Sequence, residues 1–265
     1  MRDNAPELRN ATFSLLGGHG NDMLLALAPA LATNDHLGCL FIHLLSDDQC
    51  PAATGLAALA QALSAHPSIT VLLLQQQCMA LEGVRAVGQL FQTNTVITRL
   101  SLSACALGPA GTEALAAGLA GNTTLSLLTL SHNAMLGQGA LALAAVLHAH
   151  PALQLLDLGH NAIDAAGARA LAAVVSTAPA LQALDLTENR VGDDGAEALA
   201  AALAANPALR KLIMFRNEIG LRGTAALTAA LAGNHRVIMV KLGATGAPPA
   251  VVQLMTARIS RNKVR

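Results

Sequence analysis

The feature that most constrains this chain is a repeat of 28 residues, marked by glycines that recur in register. Successive members stand 28 positions apart, at Gly55, Gly83, Gly111, Gly139, Gly167, Gly195 and Gly223. Every position four or eight residues after one of these glycines is apolar, and alanine fills much of the sequence between them. This spacing predicts one short helix in each repeat, with a single buried face.

A second pattern precedes each glycine and is typical of a β-strand followed by a tight turn. The frame LxxLxLxxN, whose middle part alternates as a strand does, starts at Ile69, Ile97, Leu125, Leu153, Leu181, Leu209 and Val237. Its last position holds Asn133, Asn161, Asn189 and Asn217, with Gln77, Cys105 and Thr245 in the remaining copies. An inward-turned asparagine amide both donates and accepts hydrogen bonds, so it can satisfy buried backbone groups of the turn. Stacked repeats therefore predict an asparagine ladder.

The order of strand and helix within each repeat predicts how the repeats stack. Strand, helix and strand in so short a stretch force parallel pairing through a right-handed crossover. Adjacent strands lie ~4.8 Å apart, whereas packed helices need ~8–10 Å between their axes, so the stack must curve. The predicted fold class is α/β, a right-handed horseshoe-shaped solenoid with a parallel β-sheet on the concave side and α-helices on the convex side.

Taken together, these strand, asparagine, glycine and helix positions resemble the leucine-rich-repeat family. The 28-residue length and the GAxALAxxL pattern resemble its ribonuclease-inhibitor-like subclass, which is also seen in NOD-like receptors. The resemblance covers residues 37–245. It implies a leucine-rich-repeat solenoid, and function has to be argued from the surface that this fold exposes.

Both ends of the chain depart from the repeat, as expected where a terminal coil shields the core from water. We expect residues 1–36 to form an N-terminal capping coil, residues 37–245 the repeats, and residues 246–265 a capping helix with a basic tail. Phe13 to Leu16 is predicted to be a degenerate first strand, and the copy that begins at Leu37 is four residues longer than the others. Ala250 to Ile259 is predicted to form the closing helix.

Charge and composition narrow the classes of partner. Sixteen basic and sixteen acidic residues cancel, and only 12% of residues are charged, so no net field favours nucleic acid or an anionic membrane. No uninterrupted apolar run approaches the ~20 residues that a membrane span needs. The first residues lack a cationic segment followed by an apolar stretch, which predicts a cytosolic location. For a bacterial effector, that location would be the host cytosol.

Motifs for chemistry are missing from the sequence. GxxxxGK[ST], GxSxG, CxxC and HExxH do not occur, so we predict no enzyme, no cofactor and no metal site. His148 and His150 are expected on one helix but facing different directions. His66 and His150 precede proline, where Asn206 takes the equivalent place, and are interpreted as helix C-terminal boundaries. The four cysteines are interpreted as structural thiols.

The concave surface is the expected binding site for a protein partner. It comprises the outward strand positions and the residue before each ladder position, and its later repeats place acidic residues beside basic ones. An exposed Phe next to an Arg is typical of residues that dominate interface energy, so Phe215 and Arg216 are the expected anchors. The predicted partner-binding residues are His132, Asp157, His160, Asp185, Glu188, Lys211, Phe215, Arg216 and Lys241.

Asp157 and Asp185 occupy the same strand position in neighbouring repeats. Their carboxylates should lie one strand spacing apart, close enough to raise a pKa. Such a pair can do acid–base work or hold a cation, but a strand position between inward leucines also simply faces water. We adopt the second interpretation and expect these carboxylates, with Glu188, to give selectivity through charge matching.

Three functions fit the sequence. The first is a non-enzymatic protein–protein interaction scaffold. The second is regulation of a small GTPase, because the activating protein of the nuclear-transport GTPase resembles this repeat class, although it has an acidic tail and this chain ends with basic residues. The third is self-association, since the weakly charged stretches 49–81 and 114–156 are candidates for a homo-oligomer surface.

Overall fold

The computed structural model describes residues 9–16, 20–45, 53–75, 78–206, 208–243 and 249–263. Within these ranges strands and helices alternate along the whole chain. The strands are β1 (Asn10–Leu16), β2 (Cys39–Leu45), β3 (Val71–Gln75), β4 (Arg99–Ser101), β5 (Leu127–Thr129), β6 (Leu155–Asp157), β7 (Ala183–Asp185), β8 (Lys211–Ile213) and β9 (Met239–Lys241). The helices are α1 (Gly20–Ala32), α2 (Ala53–Leu63), α3 (Leu81–Thr93), α4 (Gly108–Leu119), α5 (Leu136–Leu147), α6 (Ala165–Thr177), α7 (Gly192–Ala205), α8 (Leu221–Gly233) and α9 (Pro249–Lys263).

The strands form one open parallel sheet in chain order, from β1 at one edge to β9 at the other. From β3 onward each residue pairs with the residue 28 positions later, as Arg99 does with Leu127. Between β2 and β3 the offset is 32, because Cys39 pairs with Val71. The predicted solenoid and its longer second copy are therefore confirmed.

The helix positions predicted to be apolar form the core between the sheet and the helices. Leu143 and Leu171, four residues after their glycines, are completely buried, and the equivalent positions of the other repeats are buried too. The recurring glycine lets neighbouring coils approach closely. A Cβ on Gly167 would lie 2.8 Å from Cγ2 of Ile163 and 3.0 Å from Cα of Gly137. Alanine there would thus force the packed coils apart.

The predicted asparagine ladder is present, and Asn161 shows how it works. Its Oδ1 accepts hydrogen bonds from the backbone N–H of Asn133 at 2.9 Å and of Met135 at 3.4 Å. Its Nδ2 donates to the carbonyls of Leu130 at 2.9 Å and Leu158 at 3.0 Å. Each ladder amide thereby satisfies backbone groups of its own coil and of the preceding coil, which would otherwise be buried without partners. Gln77 and Thr245 lie outside the described residues.

A second ladder, which the sequence analysis missed, runs along the C-terminal ends of the helices. Asn94 accepts from the N–H of Val96 at 2.9 Å and of Ile97 at 2.8 Å, and donates to the carbonyl of Leu63 at 2.8 Å. Asn122, Asn206 and Asn234 repeat these contacts in their own coils. This ladder fixes the turn from each helix into the next strand.

Histidines replace the second-ladder asparagine in two coils. Nδ1 of His150 accepts from the N–H of Ala152 at 3.3 Å and of Leu153 at 3.1 Å, and His66 does the same for Ser68 and Ile69. The boundary interpretation of His66 and His150 is therefore confirmed. The placement of His148 and His150 on a helix is wrong, since α5 ends at Leu147. α4 ends at the equivalent Leu119 without a proline, so this helix end is a feature of the repeat.

The last helix packs against the final repeat. Nδ2 of Asn262 donates to the carbonyls of Asn234 at 3.0 Å and Val237 at 2.7 Å, and the Arg258 guanidinium donates to the carbonyl of Thr228. A helix over residues 250–259 is thus present within the longer α9. Its role as a cap, and the domain boundaries at 36 and 245, stay predictions.

The cysteines are only partly as expected. Cys39 and Cys105 carry thiols, and burial raises the pKa of the Cys39 thiol. Cys78 is in a disulfide, so interpreting all four cysteines as thiols was wrong. Cys50 lies outside the described residues.

Candidate functional site

The candidate site is on the concave side, where each strand of the ladder region ends. The residue before each ladder asparagine adopts a left-handed backbone conformation, with φ of 59° at His132, 56° at His160, 53° at Glu188 and 56° at Arg216. This conformation turns the chain so that the next residue, the asparagine, points inward. For residues other than glycine it costs about 1 kcal/mol each. The stacked coils maintain it at the same place in successive repeats.

These four side chains form one continuous row, here called the strand-end row. The rings of His132 and His160 stack with centroids 3.9 Å apart and planes at 14°. Nδ1 of His160 lies 3.0 Å from Oε2 of Glu188, and Nη1 of Arg216 donates to Oε1 of Glu188 at 2.7 Å. The guanidinium carbon of Arg216 is 5.3 Å from the centroid of the Phe215 ring. The row thus joins five predicted site residues from four successive coils.

Phe215 closes the row on the side of the last coil. Its side chain is 39% exposed. A Cβ on Gly243, the equivalent position of the next coil, would lie 2.7 Å from Cδ2 of the Phe215 ring. The ring is therefore supported by backbone below and by Arg216 beside it, while one part of it faces solvent. This arrangement holds an apolar group and a cation in fixed positions on the surface.

Asp157 and Asp185 lie beside the strand-end row as directly paired residues of β6 and β7. Each caps a turn, since Asp157 Oδ1 accepts from the N–H of Gly159 at 3.0 Å and Asp185 Oδ1 from that of Thr187 at 2.8 Å. Burial raises the pKa of Asp157. The Asp185 carboxylate adds to the rise, and the Gly159 N–H, His132 and His160 oppose it. Burial is thus the main cause, ahead of the neighbouring carboxylate.

Lys211 and Lys241 are exposed on the concave side but do not contact the strand-end row. Lys211 pairs with Ala183 and Met239, at the positions where the strands begin. Lys241 ends β9, in the same column as Asp157 and Asp185 but separated from Asp185 by Ile213. Of the nine predicted site residues, seven therefore cluster and these two stand apart.

Sequence reasoning missed several polar residues at the opposite edge of the concave face. Gln154, Gln182 and Arg210 each directly precede a strand and are exposed. They line a groove with Arg99 and Lys211. The signal was available, because the second position of the LxxLxL frame also points away from the core. The sequence analysis took outward positions only from the later, alternating part of the frame and left this second position out.

Residues 9–16, 20–45, 53–75, 78–206, 208–243 and 249–263 contain no group of three or more His, Cys, Asp or Glu side chains placed to hold a metal ion. In the same ranges no helix is long and apolar enough to cross a membrane.

Comparison with known proteins agrees with the repeat architecture. The family described as Leucine Rich repeat matches residues 93–116, 150–172 and 178–200. The matched segments are leucine-rich repeats, in agreement with the parallel sheet and both columns of repeat residues. Domains of this class typically mediate protein–protein interaction and are typically non-enzymatic. The ribonuclease-inhibitor-like subclass stays a prediction.

Among solved structures, the chain is similar to actin-binding site 2 of leiomodin-1, with a TM-score of 0.48 and 16% identity over 69% of this chain and 87% of that one. It is also similar to the tropomodulin C-terminal domain of Caenorhabditis elegans, with a TM-score of 0.47 and 12% identity over 71% of this chain and 95% of that one. For TLR13 in its complex with ssRNA13, the TM-score is 0.37 at 16% identity, over 82% of this chain and 40% of that one. No curated protein matches the chain.

Proposed function

We propose that this protein is a non-enzymatic scaffold that binds a protein partner on the concave face, along the residues from Asp157 to Lys241. The observation that carries the proposal is the strand-end row with Phe215 at its end. Aromatic residues and arginine are both enriched at protein interfaces. Here the Phe215 ring and the Arg216 guanidinium are exposed next to each other.

Preorganisation is the physical advantage of the row. Arg216 is held by Glu188 at 2.7 Å, and Glu188 also lies 3.0 Å from His160. Immobilising a long side chain on binding costs ~0.5–1.5 kcal/mol, and a side chain already held in place loses less. A partner can therefore use the Phe215 ring and the Arg216 guanidinium without paying the full ordering cost.

The charges around the row give the surface a direction. Asp157 and Asp185 make one part acidic, while Lys211 and Lys241 in the following coils make the next part basic. A partner with the opposite order of charges would be favoured, and a partner docked in reverse would meet like charges. Selectivity in this proposal comes from charge order, and affinity from Phe215 and Arg216.

A pull-down from the native organism tests the proposal. The intact chain and a Phe215→Ala/Arg216→Ala variant are compared by quantitative mass spectrometry. The variant should lose at least about tenfold in partner recovery, the size expected for an interface anchor. Leu141→Ala/Arg169→Ala is the matched control, because these residues are exposed on the convex helices α5 and α6.

Circular dichroism has to show that both variants are folded before recovery is compared. Equal recovery by the Phe215→Ala/Arg216→Ala variant and the intact chain would remove the proposed site. Loss with the Leu141→Ala/Arg169→Ala control instead would move the binding surface to the helices.

For location we propose the cytosol, of the producing cell or of a host. The Cys78 disulfide counts against this, since disulfides are uncommon in cytosolic proteins. Fractionation of native cells, with alkylation of free thiols before lysis, tests both points. Recovery of the protein outside the cytosol with Cys78 protected from alkylation would refute the cytosolic location.

A further inference from the structure

A groove of about 250 Å³ runs along the edge of the concave face where strands β4 to β8 begin. It lies opposite the strand-end row, at the other end of the same strands. Its floor is formed by Leu127, Leu155 and Ala183, which are half-buried and paired with one another in register. The groove therefore crosses the strands and follows the axis of the solenoid.

Both ends of the groove are positively charged. Arg99 stands at one end, and Arg210 and Lys211 stand at the other, all three exposed. No carboxylate lines the groove. Across the part of the chain that the structure describes, none of these three cations takes part in an ion pair. A ligand could neutralise them without breaking an existing contact.

The middle of the groove carries amides instead of charges. Gln154 and Gln182 precede neighbouring strands and are exposed. Within the described ranges, the side chains of these two glutamines make no hydrogen bond that would compete with a ligand. A glutamine amide offers two donors and an acceptor, which match the N–H and C=O groups of an extended polypeptide.

The distance between the charged ends sets the spacing that a ligand must match. Arg99, Leu127, Leu155, Ala183 and Lys211 occupy the same position in five successive paired strands. Four strand spacings of ~4.8 Å separate Arg99 from Lys211 by ~19 Å along the sheet. An extended peptide advances ~3.3 Å per residue and covers this distance in about six residues.

We propose that this groove binds an extended peptide segment with two acidic side chains about six residues apart. One carboxylate pairs with Arg99, the other with Arg210 and Lys211, and the backbone between them contacts Gln154 and Gln182. This inference rests on the proposed function, because the groove is one edge of the same concave face. It adds the chemical class of a segment of the partner.

The same features disfavour a nucleic-acid strand. A nucleic acid carries a phosphate at every nucleotide, and its binding depends on cations that follow the backbone. Here the cations stand only at the two ends of the groove. Single strands are also held by bases stacked on aromatic side chains, and no aromatic residue lines this groove.

Fluorescence anisotropy with labelled twelve-residue peptides of Gly and Ser tests the spacing. Each peptide carries two Glu residues, separated by two, four, six or eight positions. The affinity of each peptide for the intact chain is measured at low salt. The peptide with a separation of six should bind at least about threefold more tightly than that with a separation of two. Equal affinity across the series would overturn the proposal.

Variants test which residues the peptide contacts. Arg99→Gln should weaken the best peptide about threefold or more, as loss of one exposed charge contact does. Arg169→Gln, an equal loss of charge on the convex helix α6, should leave its affinity unchanged. A peptide in which one Glu is replaced by Lys should bind weakly to the intact chain and more tightly to the Arg99→Glu variant, because the charges then match again. An equal effect of Arg99→Gln and Arg169→Gln would refute the groove.

Two further measurements separate this inference from others. A labelled ten-nucleotide oligothymidine that binds more tightly than the best peptide would overturn the proposal in favour of nucleic acid. The Phe215→Ala/Arg216→Ala variant should keep its peptide affinity while losing the partner. Loss of the partner without any preference for peptide spacing would refute the groove alone. Retention of the partner would refute the proposed strand-end site.

Discussion

The first strands of this solenoid and the strands of the asparagine ladder are built on one frame but end differently. β1 and β2 have seven residues and β3 has five, whereas β4 to β9 have three each. In β2 the final frame position is Leu45, which is still part of the strand. In β6 to β8 it is an inward asparagine. β4, which Cys105 follows, is just as short, so the inward turn ends the strand with or without an amide.

This difference explains where the strand-end row can exist. The residue before each ladder asparagine takes a left-handed conformation, as Glu188 and Arg216 do. That residue then projects from the concave rim at the same place in each coil. Successive coils stack its side chain on its neighbours, as with the rings of His132 and His160. The structural ladder and the candidate binding row are therefore two consequences of the same turn.

Removing one ladder amide should have the largest effect. Asn161→Ala leaves the N–H groups of Asn133 and Met135 without their side-chain acceptor. The carbonyls of Leu130 and Leu158 each lose one of two amide donors. We expect the free energy of unfolding to fall by about 3–5 kcal/mol, because each buried unsatisfied group costs ~1–3 kcal/mol. Urea denaturation followed by circular dichroism measures this loss.

Cys105→Ala is the matched control for the asparagine substitution, since Cys105 takes the ladder position at the border between the two regions. Its thiol contacts the carbonyl of Leu74 at 3.2 Å and is a weak donor. We expect a loss of about 1 kcal/mol, mostly from packing. Equal losses for Asn161→Ala and Cys105→Ala would contradict the role given to the amide.

Lowering the pH should weaken both regions through the second ladder. His66 lies in the first region and His150 in the ladder region, and burial lowers the pKa of each. Folding therefore favours the neutral imidazole, whose Nδ1 accepts two backbone hydrogen bonds in each case. Stability should be complete above the ordinary pKa of 6.5 and decline as pH falls through and below it.

The double variant His66→Asn/His150→Asn tests this pH dependence. Asparagine occupies the same place in other coils, such as Asn94 and Asn122, and does not titrate. Between pH 7.5 and pH 5 the wild type should lose about 1–2 kcal/mol more stability per histidine than the variant, the cost of losing a buried acceptor. Parallel profiles for the two proteins would show that these histidines do not sense pH.

Asp157→Asn should have the smallest effect and the opposite sign. Because burial raises the pKa of Asp157 above its ordinary 3.8, the charged form at neutral pH is less stable in the folded state than in the unfolded one. An asparagine keeps an acceptor for the N–H of Gly159. We expect a gain of less than about 1 kcal/mol at pH 7. The gain should vanish at pH 3, where thermal unfolding of both proteins provides the control.

The sequence predicted the parts of the fold that repeat. Leu143 and Asn161 were assigned to the core and the ladder because their residue types recur every 28 positions. The second ladder was missed although it also recurs, because histidine stands for asparagine at His66 and His150 and hides the column. The Cys78 disulfide was also missed, because the sequence analysis interpreted all four cysteines as thiols.

The candidate site was predicted in part. Phe215, Arg216 and Glu188 were identified as concave residues from their place before the ladder positions. Their mutual contacts were not, since a one-dimensional pattern does not specify which rotamers meet across coils. The same holds for the groove, where Arg99 and Lys211 belong to one site only because the three strands between them are paired in register.

The sequence by itself determined the repeat length, the buried columns and hence the right-handed solenoid, because burial of a periodic apolar pattern has few geometric solutions. Only the tertiary structure decided which surface groups act together. Parallel stacking brings residues 28 positions apart to within one strand spacing, so His132, His160, Glu188 and Arg216 become neighbours. Whether such neighbours stack, form an ion pair or leave a groove depends on side-chain geometry across the sheet.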